Sequence, residues 1–153
     1  MAPFDIDTDR SAVGNSVPRI VAILGGAGFV AVGVWAMVHP QSFFEALARF
    51  EPYNQHFLQD VGAFQVGLGV VLLLAGLSVG ADGLTGALVG VGVAATLHIV
   101  SHIAGRDLGG DPERDIPVFA ALAVTLVAAG GLRWRHVRGA ARDSPIDRIR
   151  SGS

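Results

Sequence analysis

The placement of the charged residues constrains this chain more than any other feature. Four stretches contain no Asp, Glu, Lys or Arg: residues 20–38, 61–81, 83–105 and 116–132. A helix needs about 20 apolar residues to cross the ~30 Å hydrocarbon core of a bilayer, and each stretch has about that length. Because backbone polar groups must be satisfied within lipid, such segments span it as helices. The sequence therefore predicts an all-α, integral membrane four-helix bundle.

The composition agrees with a membrane location and excludes several kinds of site. Charged residues make up 16% of the 153 residues, against about 25% in a typical soluble domain. The chain has no cysteine, which excludes disulfides, iron–sulfur ligation and cysteine-type zinc sites. A net charge of −2 gives no basis for nucleic-acid binding, so the expected surroundings are the lipid bilayer and other membrane proteins.

The arginines predict which way the four helices face. Four spans place both termini on one side of the membrane, and that side carries eight of the 11 basic residues, all of them arginines. By the positive-inside rule, both termini are cytoplasmic. The arginine-only, Ala/Gly/Val-rich composition suggests a bacterial source, so we expect the plasma (inner) membrane. The predicted divisions are a polar N-terminal tail (1–18), a four-span transmembrane domain (19–133) and a basic cytoplasmic C-terminal tail (134–153).

The two connections that flank the second span are predicted to differ in length. The first outer loop is long, and Ser42-Phe43-Phe44-Glu45 has the pattern of a capping box. Phe residues then recur at helical spacing, which predicts a short interfacial helix over 43–50, ended near Pro52. The turn around Asp82 is tight. Spans two and three are therefore expected to form a hairpin whose outer ends are neighbours.

Polar residues gather at these two outer ends. His56 and Asp60 are four residues apart on span two, and His98 and His102 are four apart on span three. Residues at this spacing share one face of a helix. If the hairpin brings the faces together, one helix contributes a histidine and a carboxylate and the other contributes two histidines.

This set contains the ligand types of a first-row transition metal site. Imidazole and carboxylate suit zinc, iron, copper or manganese, and helical metal sites present paired ligands four residues apart. Gln65, Ser101 or Asp107 could donate or accept the hydrogen bonds that orient those ligands. A polar cluster that fastens the two helices explains the same residues without a metal, and a proton relay or small-ligand pocket is a third reading.

Small residues four apart also occur along the first three spans. Examples are Ala27/Ala31, Gly76/Gly80 and Gly86/Gly90. Such spacing lets helix backbones approach closely in lipid. It fits packing within one bundle, and it also fits the interface of a homo-oligomer or of a partner membrane subunit.

Two short motifs resemble a known kind of protein. They are Tyr-Asn-x-His-x-x-x-Asp-x-Gly at residues 53–62 and His-x-x-x-His at residues 98–102. Over residues 19–133 the chain resembles small uncharacterised actinobacterial membrane proteins and is similar in organisation to the DoxX-like group. That resemblance implies four helices in the plasma membrane and an association with membrane redox chemistry that passes electrons to or from quinone. The absence of cysteine goes against a thiol-based version of that chemistry.

These features predict a small integral membrane protein, and they favour a protein that is not an enzyme over one that is. Its His/Asp cluster either fastens the bundle or binds a small ligand or metal. One alternative is a membrane oxidoreductase component, in which the cluster holds a redox metal or relays protons to quinone. The other alternative is an accessory subunit of a larger membrane complex.

Overall fold

The computed structural model describes residues 6–78 and 83–142, and it is helical almost throughout. The helices are α1 (Ile6–Val38), α2 (Pro40–Phe43), α3 (Gln55–Leu77), α4 (Gly83–Ala104) and α5 (Pro112–Arg142), with Phe44–Ala48 continuing α2 as a π-helix. No strand occurs in the described ranges. The predicted all-α fold is therefore confirmed. The ends of both predicted tails (1–5 and 143–153) and the turn at 79–82 lie outside the described residues.

Four helices are long and apolar enough to cross a membrane. The candidate spans are Gly14–Val38, Gln55–Leu77, Gly83–Ala104 and Pro112–Ala141. Large apolar side chains cover their outer surfaces; Phe64 is 76% exposed, Leu74 63% and Val124 68%. Continuous apolar surface of this kind marks contact with lipid or with another protein. The structure thus supports the prediction of a multi-pass membrane protein.

The closest helix pair is α1 with α3, and glycines make its contact possible. An ideal Cβ built on Gly33 would lie 2.6 Å from the carbonyl oxygen of Gly62, and one built on Gly62 would lie 2.6 Å from that of Gly33. Gly26 and Gly69 are related in the same way, at 2.8 and 2.7 Å. Both glycines of each pair are buried. The two backbones therefore touch at two points, which are seven residues apart on each helix. Only glycine allows two helix backbones to come this close.

The small-residue pairs named from the sequence have mixed roles. Gly76 packs against Ala22 and Ile23 of α1, as expected for contact within the bundle. Gly86 and Gly90 have nothing within 4 Å of an ideal Cβ, and Ala27 and Ala31 are exposed. Gly80 lies outside the described residues. The sequence pattern therefore predicted correctly that small residues make close helix contacts. It missed the two glycine pairs that form the closest contact, between α1 and α3.

The second pair is α4 with α5, and the two pairs meet at the terminal end of the bundle, where α1 begins and α5 finishes. All four long helices contribute to a core cluster there, which includes Ala22, Leu72, Leu88 and Leu126. All four of these residues have no exposed surface. At the same end Arg133 donates a hydrogen bond of 2.7 Å to the Asn15 side chain. The terminal half of the bundle is thus filled with side chains.

The tails continue this end of the bundle as helix. The α1 helix already begins at Ile6, and α5 continues to Arg142. The predicted divisions after residue 18 and before residue 134 therefore fall inside helices. Arg19, next to the first division, donates a hydrogen bond of 3.1 Å to the Gly76 carbonyl near the end of α3.

Consecutive helices α3 and α4 pack against each other far less than the two pairs do. The prediction of a close hairpin between spans two and three is therefore wrong. The reason lies in the glycines, because Gly62 and Gly69 draw α3 onto α1 over its whole length. α4 instead packs along α5, where an ideal Cβ on Gly92 would lie 2.7 Å from a methyl of Val127.

The opposite end of the bundle, which we call the loop end, is closed by residues 39–54, called here the cover segment. Phe43 is buried together with Ala36 of α1 and Leu58 of α3. The predicted short helix is present, but it runs from Pro40 to Ala48 rather than over 43–50. The predicted capping box is wrong, because the Ser42 hydroxyl donates to the His39 carbonyl and accepts from the Trp35 indole, at 3.1 and 2.8 Å.

Candidate functional site

A cavity of about 910 Å³ lies at the loop end, between the α1/α3 pair and the α4/α5 pair. The cover segment and all four long helices line it. The wall is largely apolar and rich in aromatic rings, which belong to Phe29, Phe43, Phe44, Phe50, Phe57 and Phe119. Ligand pockets in proteins are typically ~300–1,000 Å³ and mostly apolar, with a few polar groups that fix orientation. This cavity has the size and the lining of such a pocket.

Two histidines of α4 form one polar edge of the cavity. His98 and His102 lie one helical turn apart, and their Nε2 atoms are 3.2 Å from each other. The ring of Phe119 on α5 lies 4.4 Å from that of His98 and 5.3 Å from that of His102, between centroids. The predicted pairing of these histidines on one helix face is therefore present, and α5 supplies the surface on which they rest.

The partner of this pair is Asp115, in the first turn of α5. Its Oδ2 atom lies 3.8 Å from Nδ1 of His102, and both side chains are buried, at 10% and 9% exposed. This separation exceeds hydrogen-bond length, so the interaction is electrostatic. His102 thus faces His98 with one ring nitrogen and Asp115 with the other. His98, His102 and Asp115 therefore form a chain of polar groups that links α4 to α5.

Arg114 neutralises Asp115 and holds the cover segment in place. Its Nε donates to Oδ1 of Asp115 at 2.7 Å, and Nη2 lies 2.7 Å from the same oxygen. Nη1 and Nη2 also donate, at 3.1 Å each, to the carbonyls of Ala46 and Leu47. All three guanidinium nitrogens are therefore engaged. Gly110 adds a backbone bond of 3.1 Å to the Arg49 carbonyl.

Gln65 faces the cavity from the opposite wall, on α3. Its Oε1 atom is buried and accepts no hydrogen bond from any described residue. A buried amide oxygen without a partner costs roughly 1–3 kcal/mol. Gln65 is thus a polar group whose hydrogen-bonding capacity is unused by the rest of the described chain.

The second predicted pair stands apart from this site. His56 Nε2 lies 3.7 Å from Asp60 Oδ2, with the two side chains 87% and 57% exposed. Neither residue lines the cavity. Among the described residues no group of three or more His, Cys, Asp or Glu side chains could hold a metal ion. The structure therefore does not bring His56 and Asp60 together with His98 and His102, and metal binding stays an unconfirmed prediction.

The three residues predicted to orient the ligands, Gln65, Ser101 and Asp107, lie in different places. Gln65 and Ser101 line the cavity, as a supporting role requires. Asp107 is exposed in the turn after α4 and does not line it. Asp107 is therefore not part of the cluster that the structure shows.

Sequence reasoning missed Asp115 and Arg114, and with them the contact to α5. The uncharged stretch 116–132 places the start of span four at residue 116. The helix begins at Pro112, about one turn earlier. The signal was present in Asp111-Pro112, because proline is favoured at the first helical position and an acidic residue at the position before it. With that start, residues 114 and 115 belong to the helix and face its neighbours.

Comparison of the chain with protein-family models, curated proteins and solved structures finds no match. The similarity to the DoxX-like group therefore stays a resemblance of two motifs and a general plan. Function has to be argued from the cavity and the groups around it.

Proposed function

We propose that this protein binds a small amphipathic molecule, taken from the membrane, in the cavity at its loop end. The observation that carries the proposal is the cavity itself: about 910 Å³ between the spanning helices, lined mostly by aromatic and aliphatic side chains with a few polar groups. Close packing is the rule in protein interiors, and the terminal half of this bundle obeys it. A large opening between the two helix pairs therefore supports a binding role.

The polar edge also fastens the bundle. It connects α4 to α5 through His102 and Asp115, and α5 to the cover segment through Arg114. Fastening and binding are compatible, since rigid walls hold a pocket in shape. The redox-component and accessory-subunit hypotheses stay predictions, because neither follows from the geometry of this edge.

Filling the cavity should abolish binding. We expect the protein, in phosphatidylcholine nanodiscs, to bind 2-naphthol saturably at one molecule per chain, measured by naphthol fluorescence and corrected for uptake by protein-free nanodiscs. Gly28 lines the cavity and has nothing within 4 Å of an ideal Cβ, so Gly28→Leu adds bulk there without a clash. This variant should weaken binding by at least about tenfold, equivalent to ~1.4 kcal/mol.

Gly67→Leu is the matched control for that experiment. Gly67 also has open space around its Cβ position, but it does not line the cavity. This variant should bind as the wild type does. Ser101→Phe fills the cavity from the α4 wall and should act like Gly28→Leu. Equal binding by all four proteins, or no saturable binding by the wild type, would refute the proposed function.

We further propose that the chain lies in a bacterial plasma membrane with both termini in the cytoplasm. The support is the arginine excess on the side of the termini. Since the chain has no cysteine, single substitutions report its orientation cleanly. In intact cells an impermeant maleimide should label Gln41→Cys, in the exposed cover segment, and should label Gly139→Cys, near the end of α5, only after lysis. The reverse order of labelling would contradict this orientation.

A further inference from the structure

We infer that the molecule bound in the cavity is uncharged and carries a hydroxyl group that contacts Gln65. This inference rests on the proposed function and names the chemical class of its ligand. It follows from the charge balance of the cavity wall and from the polar groups that the described residues leave without partners.

The cavity wall offers no free charge to an ionic ligand. Arg114 and Asp115 are the permanently charged residues among those that line it, and they pair with each other at 2.7 Å. The remaining guanidinium hydrogen bonds go to the carbonyls of Ala46 and Leu47. A carboxylate or phosphate would therefore enter an apolar site in which the arginine is already paired and the neutral imidazoles of His98 and His102 carry no charge, which is unfavourable. A cationic ligand would find the Asp115 carboxylate already neutralised.

Uncharged hydrogen-bonding groups do remain on both walls. On α3, Oε1 of Gln65 is buried and accepts no hydrogen bond from the described residues. On α4, His98 uses only Nε2, toward His102, and the hydroxyl of Ser101 has no described partner. Gln65, His98 and Ser101 all line the same cavity. A ligand that offers both a donor and an acceptor could satisfy Gln65 together with a group on the other wall.

A hydroxyl is the simplest group that meets this requirement. The last torsion of a glutamine side chain is soft, so its amide can present either oxygen or NH₂ toward the cavity. A hydroxyl can donate a hydrogen bond to the amide oxygen and accept one from the amide NH₂, whereas a ketone or ether oxygen can only accept. The aromatic rings of Phe29, Phe57 and Phe119 would surround the apolar part of such a molecule.

Three probes with one skeleton test the inference: 2-naphthol, 2-methylnaphthalene and 2-naphthoate, each measured in phosphatidylcholine nanodiscs with correction for lipid uptake. We expect 2-naphthol to bind about tenfold more tightly than 2-methylnaphthalene, the effect of one net hydrogen bond in an apolar site. The carboxylate should bind at least about tenfold more weakly than 2-naphthol. Equal affinities for naphthol and methylnaphthalene, or tightest binding of the carboxylate, would overturn the inference.

Gln65→Met then assigns the contact, because methionine keeps the length of the side chain without its amide. The variant should lower the affinity for 2-naphthol about tenfold and leave that for 2-methylnaphthalene nearly unchanged. An equal loss for both probes would mean that Gln65 only shapes the wall and would overturn its role as the contact. If the variant does not fold, the ranking of the three probes on the wild type still decides whether the ligand is an uncharged hydroxyl compound.

The outcomes separate this inference from the function on which it rests. Binding of all three probes with equal affinity, each lost in Gly28→Leu, would refute the hydroxyl inference and support the binding function. Absence of saturable binding for every probe would refute both.

Discussion

Gly62→Leu should prevent the bundle from folding, whereas Gly67→Leu on the same helix should leave it intact. A Cβ at Gly62 would lie 2.6 Å from the carbonyl oxygen of Gly33 and 2.8 Å from the Met37 side chain. The first of these contacts is with backbone, so a rotamer change cannot relieve it. Overpacking of a core typically costs ~1–3 kcal/mol, and separating two helix backbones should exceed that range.

Thermal unfolding in detergent, followed by tryptophan fluorescence and circular dichroism, measures this effect. Gly62→Leu should show no cooperative transition or a much lower Tm than the wild type. Gly67 is the control because nothing lies within 4 Å of its Cβ position. Similar Tm values for the two variants would show that α1 and α3 do not touch through their glycines, and the two-pair arrangement of the bundle would then fail.

Arg114→Gln should release the cover segment from the mouth of the cavity. The substitution removes the hydrogen bonds to the carbonyls of Ala46 and Leu47 and leaves the Asp115 carboxylate buried without its cation. Removing one partner of a fully buried ion pair costs ~3–5 kcal/mol. Because the Arg114 side chain is 35% exposed, we expect a smaller loss, of about 2 kcal/mol.

Hydrogen exchange of the peptide 39–50, measured by mass spectrometry, reports this release. Exchange there should be at least about tenfold faster in Arg114→Gln than in the wild type. Arg106→Gln, an exposed arginine in the turn after α4, is the control and should exchange at the wild-type rate. The double variant Arg114→Gln/Asp115→Asn should recover part of the lost stability, because it removes the uncompensated charge. Equal exchange in the two single variants would contradict the clamp.

The spans could be predicted from the sequence because a bilayer imposes one requirement on every segment that crosses it. Residues 20–38 and 61–81 satisfy that requirement whatever their neighbours are. His39-Pro40 accounts for the end of α1 at Val38 in the same local way, since proline restricts the residue before it. These are local properties of the chain.

The arrangement of the helices could not be predicted in the same way. A tight turn between spans two and three predicted a hairpin whose outer ends are neighbours, but Gly62 and Gly69 bring α3 against α1. Many glycines occur in these spans, and the sequence alone does not distinguish Gly62, which touches a neighbouring backbone, from Gly67, which does not. The choice depends on packing between segments distant in the chain.

The candidate site was therefore predicted only in part. His98 and His102 share a face because of helical geometry, which spacing reveals. Their connection to Asp115 depends on the pairing of α4 with α5, and the separation of His56 and Asp60 depends on the pairing of α3 with α1. The cavity is a volume left between the two pairs, so no residue pattern encodes it directly.

Photolabelling with a small apolar diazirine tests the central claim, that a small molecule occupies this cavity, most directly. Labelled residues would be identified by peptide mass spectrometry, with and without excess 2-naphthol. We predict that 2-naphthol suppresses labelling at cavity-lining Phe29 and Phe119 and leaves it unchanged at Phe64, which is 76% exposed on the outer surface of α3. Unchanged labelling at Phe29 and Phe119, or equal suppression at Phe64, would contradict the proposed binding site.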